Sequence, residues 1–312
     1  GGLNPMYGMW AEFTDMIEWM RDHNRQVGEE DKIKFYGLDL TGFYTDLRPT
    51  FRQVIDGLKK VAPAYAREIQ LELTPVLDIM GSNGFRKAPG SYKDSLTLEQ
   101  KYLLEKKFVE VADYISANRE RFLAVGGSED YEWLRQSAVS LFQTIAYYKD
   151  AATKSKDYGE YVGRNGRELA MAQNLQWVYK SDTTAKILII NHNIHTNTKP
   201  SFFSDEFKFF VPLGAFVREA FGSQYYSIGC AYDNGKYWEN WKKDEPRIIK
   251  DTPPAQKGEI DHVLKSVGRP YFFIDFRKID RQGASSWLRS PIMIREHDSQ
   301  LPITPDEFDG YI

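Results

Sequence analysis

The chain has 312 residues, 42% hydrophobic, 14% aromatic and 27% charged, with a formal net charge of −3. That is enough apolar material for a sizeable core, and a near balance of charge with no basic block excludes an electrostatic nucleic-acid surface. The single cysteine, Cys230, excludes an intramolecular disulfide and a thiolate metal cluster, and no apolar run approaches the about 20 residues of a membrane span.

The chain begins "GGLNPMYGMW", with neither an initiator Met nor a signal-peptide pattern. It ends on "DEFDGYI", which reads as the start of a strand. Both ends look cut, so the expectation is a piece of a longer protein. One cysteine fits the cytoplasm as compartment; the oligomeric state is not legible.

"EFTDMIEWMRDHN" places Phe13, Ile17, Met20 and Asn24 at helical spacing. "KIKFYGLDL" follows as a predicted strand ending at Asp39. "RPTFRQVIDGLKKV" is a helix with Pro49 in its first turn and Phe51, Val54, Leu58 and Val61 on one face. From Pro63 to about Asp157 no strand is predicted. Thr97 and Gln100 form a capping-box pair before a helix carrying Leu104, Phe108, Val111 and Ile115. "GGS" at Gly126–Ser128 breaks it, and the next helix carries Leu134, Ala138, Leu141 and Ile145. A helix over roughly Gly159–Tyr179 leads to a strand over Ile187–Asn191. The helix "PLGAFVREAFG", the strand "YYSIGCAY", the helix "GEIDHVLKSVG", the strand "YFFIDF" and a last strand at Tyr311 complete the pattern.

Strands alternating with helices predict an α/β fold, a mostly parallel sheet flanked by helices with a helical insertion. Residues 1–62 and 158–312 form the discontinuous α/β core, and 63–157 the helical insertion or cap. In open α/β sheets, ligands bind beyond the carboxyl ends of the strands. Asp39, the pair His192 and His195, and Asp275 all stand at predicted strand ends, so one shared edge is expected, with Asp275 as a structural cap. Two of only five histidines lie within four residues here, and imidazole suits proton transfer near neutral pH. They can share a pocket only if the chain turns at Asn193 and Ile194, with a hydrogen bond to a carboxylate or carbonyl fixing a tautomer. H-x-x-H also fits part of a metal site, but no Cys or acidic ligand stands at standard spacing. Upstream, Arg167, Met171, Asn174 and Val178 share one helix face. Arg167 and Asn174, with Arg164 one turn earlier, are candidate groups for a carboxylate or a developing oxyanion.

"RELAMAQNLQWVYKSDTTAKILIINHNIHT" resembles the erythromycin esterase family. Arg167, Met171, Ala172, Asn174 and Trp177 match its R-x-x-x-M-A-x-N-x-x-W helix, and His192, Asn193 and His195 its H-N-x-H turn. "MWAEFTDMIEWMRDHN" with "KIKFYGLDL", then "PLGAFVREAFGSQYYSIGCAYDNG", "YFFIDFR" and "FDGYI" resemble other family pieces in order. The family's G-E-x-T-H-G-type segment, central to its catalysis, has no counterpart in these residues; the expectation is that the chain begins after it.

The resemblance implies a bacterial hydrolase, with antibiotic-resistance enzymes among its relatives. It implies metal-independent attack of water on an ester or lactone, with His195 and His192 catalytic and Arg167, Asn174, Asp39 and Arg164 lining the substrate site. No cofactor is implied. The expected partner is a small-molecule ester or a glycoside-containing substrate, not necessarily a macrolide. Two other readings stay open: a non-catalytic or polysaccharide-biosynthesis-associated binding protein, and a metal-dependent hydrolase using the H-x-x-H pair.

Overall fold

Apolar residues spaced three and four apart run through most of the first 185 residues, and helices follow them. The structure, a computed structural model, describes residues 11–40, 46–81, 88–152, 159–200, 210–230, 233–238, 248–296 and 299–312. The chain divides into two compact units, Gly1–Ala185 and Lys186–Ile312.

The first unit contains α1 (Ala11–Asn24), α2 (Leu47–Val61), α3 (Pro63–Gly81), α4 (Ala88–Ser95), α5 (Leu98–Ala117), α6 (Arg119–Ala152) and α7 (Gly159–Ser181). The side chain of Asp46 accepts the Arg48 N–H and starts α2, which buries Phe51, Val54, Ile55 and Leu58. Thr97 and Gln100 close the expected capping box at the start of α5. The predicted break at Gly126–Ser128 is a kink inside α6, where Gly127 takes a φ of 75°. Leu104, Phe108, Val111 and Ile115 from α5 meet Ala138, Leu141 and Ile145 from α6, all buried. Tyr147 and Tyr148 pack in the same core. The described residues between 63 and 152 are almost entirely helical.

The second unit holds α8 (Asn193–Thr196), α9 (Leu213–Phe221) and α10 (Ile260–Lys265). Its strands are short: β1 (Ile228–Gly229), β2 (Gly235–Trp238), β3 (Ile249–Thr252), β4 (Ile274–Asp275), β5 (Ile292–Glu296), β6 (Ser299–Ile303) and β7 (Gly310–Tyr311). They form a three-stranded sheet, β1-β7-β4, and two antiparallel ribbons, β2-β3 and β5-β6. In the larger sheet β1 runs parallel to β7, while β4 runs antiparallel to it.

These small sheets overturn the expected mostly parallel sheet flanked by helices: helices dominate, and strands are few and short. The reason is that a strand is defined by a neighbour. "KIKFYGLDL" and "KILIIN" carry strand-like composition, but 32–40 and 185–191 join no ladder among the described residues. Leu188 is 84% exposed and Ile190 67%, so the apolar run is not a buried strand. The ribbons β2-β3 and β5-β6 escape sequence reading because Lys, Asp, Arg, Gln and Pro interrupt their alternation. The expected common sheet edge for Asp39, Asn191 and Asp275 fails with the sheet itself.

Leu104 is fully buried, whereas Leu98, on the same helix, is 83% exposed. Leu104→Ala should destabilise the protein by about 2–5 kcal/mol, and Leu98→Ala by no more than about 0.5 kcal/mol. Urea unfolding of the two variants checks this.

Candidate functional site

The sequence-predicted residues fall into two clusters, one in each unit. In the first unit segment 32–40 joins no ladder among the described residues and is held by side chains. At its start Asn24 forms a closed pair with one residue: its Nδ2 donates to the Ile33 carbonyl and its Oδ1 accepts the Ile33 N–H, both at 2.8 Å. At its end Arg167 grips Asp39 with two prongs, Nε to Oδ1 at 2.7 Å and Nη2 to Oδ2 at 2.5 Å. One residue earlier, Asn174 Nδ2 donates to the Leu38 carbonyl at 2.8 Å, while Gln136 Nε2 donates to Asn174 Oδ1 at 2.8 Å.

This explains the mixed face of α7. Met171 and Val178 on that face are buried, and the interleaved Arg167 and Asn174 hold the Asp39 carboxylate and the Leu38 carbonyl. Burial works against the Arg167 charge. The hydrogen bonds and charge of Asp39 outweigh it and hold the guanidinium above its ordinary value. Arg164 lies on α7, and its side chain is outside the described residues.

Three aromatic rings flank this cluster. Tyr36 stacks on Trp133 at 5.8 Å and 12°, and Trp177 meets both edge-on, at 6.3 Å from Tyr36 and 4.9 Å from Trp133. Trp177 follows Asn174 by three residues on α7, and Tyr36 precedes Asp39 by three, so the same two segments carry both groups.

In the second unit the two histidines sit on one tight turn. The N–H groups of His195 and Thr196 both donate to the His192 carbonyl, at 2.9 and 3.2 Å, forming the one-turn helix α8. His192 is its N-cap: its Nδ1 accepts the Ile194 N–H at 3.2 Å. Accepting at Nδ1 places the proton of the neutral ring on Nε2. A backbone N–H therefore sets the His192 tautomer. The His195 ring meets Phe210 edge-on at 6.4 Å.

Asn193 anchors the turn. Its Nδ2 donates to the Cys230 carbonyl at 2.7 Å and its Oδ1 accepts the Cys230 N–H at 2.9 Å. This repeats the Asn24–Ile33 arrangement and ties α8 to the end of β1. Further along, the Thr196 carbonyl accepts from Tyr225 Oη at 2.9 Å and from the Ser227 hydroxyl. Buried Asn197 donates to Glu307 Oε2 at 3.2 Å. Asp275 caps a 3-10 turn, accepting from Arg277 N–H, Arg277 Nε and Tyr226 Oη at 3.0–3.2 Å. Among the described residues, no group of three or more His, Cys, Asp or Glu is placed to hold a metal ion.

Sequence reading missed Gln136, Tyr225, Ser227 and Glu307 as supports. Their partners lie 29 to 110 residues away, and no local pattern marks them. Asn24 carried a signal, since it is the polar member of an apolar helical stripe.

The sequence model for erythromycin esterase matches residues 4–312. The chain belongs to the erythromycin esterase family. A putative hydrolase, YbfO, of Bacillus subtilis (strain 168) is 28% identical over 155 residues, covering 47% of this chain and 33% of that protein. Erythromycin esterase type II of Escherichia coli is 21% identical over 296 residues, covering 89% of this chain and 67% of the relative. Among solved structures, a Bacillus cereus protein superposes with a TM-score of 0.76 at 19% identity, covering 96% of this chain and 70% of that one. A succinoglycan biosynthesis protein gives 0.74 at 20%, covering 96% and 69%. A mutant of the erythromycin esterase EreC in its open conformation gives 0.68 at 13%, covering 96% and 72%. At these identities the structural likeness establishes the fold. The chain thus spans a third of the YbfO sequence and about two thirds of the others. No helix among the described residues is long and apolar enough to cross a membrane.

Two outcomes follow for this member of the erythromycin esterase family. Asn193→Ala removes both bonds to Cys230 and should cost roughly 1–2 kcal/mol in urea unfolding. The Arg277 hydrogen bond holds the Asp275 carboxyl below its ordinary value, with Tyr226 adding to it. Its contribution to stability is present above the unfolded value of about 3.9 and is lost as pH falls through the lower folded value. Asp275→Asn should flatten the acid limb of the melting-temperature profile and leave its slope between pH 6 and 8 unchanged.

Proposed function

We propose that the protein is a carboxylic ester hydrolase of the erythromycin esterase type. Water attacks the carbonyl of an ester or lactone, and His195 takes the proton from the attacking water and returns it to the departing alkoxide. Water thereby adds across the acyl–oxygen bond, giving a carboxylic acid and an alcohol. His192, with its ring proton on Nε2 while Nδ1 caps α8, supplies the kind of donor a developing oxyanion needs.

The observation that carries the reading is the family match over residues 4–312 together with an H-N-x-H segment folded into a tight, anchored turn. A turn held by Asn193 and by the Thr196 carbonyl keeps an imidazole in place without reorganisation during the reaction. Arg167, Asn174, Asp39 and Arg164 are assigned to the substrate site. Arg167 acts there by holding the Asp39 carboxylate and Asn174 by holding the Leu38 carbonyl. The reaction as written uses no metal and no cofactor. The substrate is a small-molecule ester; erythromycin, named for one relative, is one compound to assay beside simple aryl esters. A bacterial, antibiotic-inactivating role is the corresponding biological reading.

His195→Ala should lower ester turnover by about 10²–10⁴-fold with an unchanged melting temperature. His192→Ala should lower both turnover and stability, because it removes the α8 cap as well as a donor; cap loss typically costs about 1 kcal/mol. Turnover with aryl esters and with erythromycin, beside thermal melts, measures this. Full turnover in folded His195→Ala would remove His195 from the mechanism.

A further inference from the structure

The first unit contains a groove that the esterase reading does not use. It lies between α2 and α6 and has a volume of ≈ 620 Å³. Gly57 and Gly126 are among its lining residues. At Gly57 the helices touch: a Cβ there would come within 2.5 Å of Leu134 Cδ1. At Gly127 the φ of 75° breaks α6, so the arm before the kink takes its own direction beyond that contact. Phe122, Val61 and Leu134 are among its apolar lining.

One wall is a single stripe of α2. Gln53, Asp56 and Lys60 stand three and four residues apart, Arg52 lies one turn before Asp56, and all four line the groove. The facing wall of α6 supplies Asp130 and Trp133. Charge cancels across the groove: Arg52 and Lys60 stand against Asp56 and Asp130, with Lys60 paired to Asp130 at 3.5 Å. Trp133 is the decisive side chain. Tyr36 stacks on one face of its indole and Trp177 meets the ring edge-on, which fixes its plane. The residue is still 40% exposed, and it lines the groove.

A rigid aromatic surface beside planar hydrogen-bonding side chains, in a groove with no net charge, selects a ligand of matching character. That ligand has an apolar face of C–H bonds, a rim of hydroxyls, and no charge. We infer that the α2–α6 groove binds a neutral saccharide ring, stacked on Trp133 with Gln53, Asp56 and Arg52 bonding its hydroxyls. The inference does not depend on ester hydrolysis, since it concerns binding alone.

The test is titration of the chain with cellotriose and maltotriose, read by saturation-transfer NMR and tryptophan fluorescence, with trigalacturonate and chitosan trimer as charged comparators. The expected result is saturable binding of a neutral trisaccharide in preference to both charged ones. Trp133→Ala and Gln53→Ala should each weaken it at least roughly tenfold, and Leu98→Ala should leave it unchanged. Gln53 is exposed, so Gln53→Ala keeps the test decisive if Trp133→Ala disturbs the core. Absence of saturable binding by both neutral sugars, preference for a charged one, or unaltered binding in folded Gln53→Ala would overturn the proposal.

Discussion

The two-pronged pair between Arg167 and Asp39 is the constraint on which the first unit's candidate site depends. Segment 32–40 joins no ladder among the described residues. Backbone outside a ladder must still satisfy its polar groups. Asn24 closes on the Ile33 backbone and Asn174 takes the Leu38 carbonyl, while Arg167 holds the Asp39 side-chain carboxylate. Arg167 suits the last role because its planar fork matches a carboxylate in register, which a lysine cannot do. The pair is only partly exposed, at 22% and 31% for the two side chains. Removing one partner would leave a poorly solvated charge behind.

The second unit solves the same problem in the same way. Asn193 closes on Cys230 as Asn24 closes on Ile33, and the result is a histidine-bearing turn joined to the end of β1. Within H-N-x-H, Asn193 anchors the turn to Cys230 and His192 caps it, with His195 on the same turn.

Helices were legible from the sequence because their evidence is local. The spacing of Phe51, Val54 and Leu58, the Thr97–Gln100 box and the Gly127 break each concern residues within a few positions of one another. Three predicted strands, in "YYSIGCAY", in "YFFIDF" and at Tyr311, are found as β1, β4 and β7, but sheet pairing was not legible, because composition such as "KILIIN" states what a strand prefers and says nothing of whether a neighbour exists. The parallel sheet was an extrapolation from alternation, and the short strands with two antiparallel ribbons replaced it. For the candidate site, helical spacing put Arg167 and Asn174 on one face, but their targets at Leu38 and Asp39 lie 128 to 136 residues away in sequence. The family resemblance marks the residues, whereas their partners are set by the tertiary fold.

The most direct measurement is a double-mutant cycle on the clamp, using Asp39→Asn, Arg167→Gln and the combined variant in urea unfolding. A two-pronged pair with partial exposure should give a coupling free energy of about 1–3 kcal/mol, after allowance for solvent screening. The double variant would then be less destabilised than the two single changes summed. Strictly additive effects would mean that Arg167 and Asp39 act independently, and that the end of segment 32–40 is held by something other than this pair.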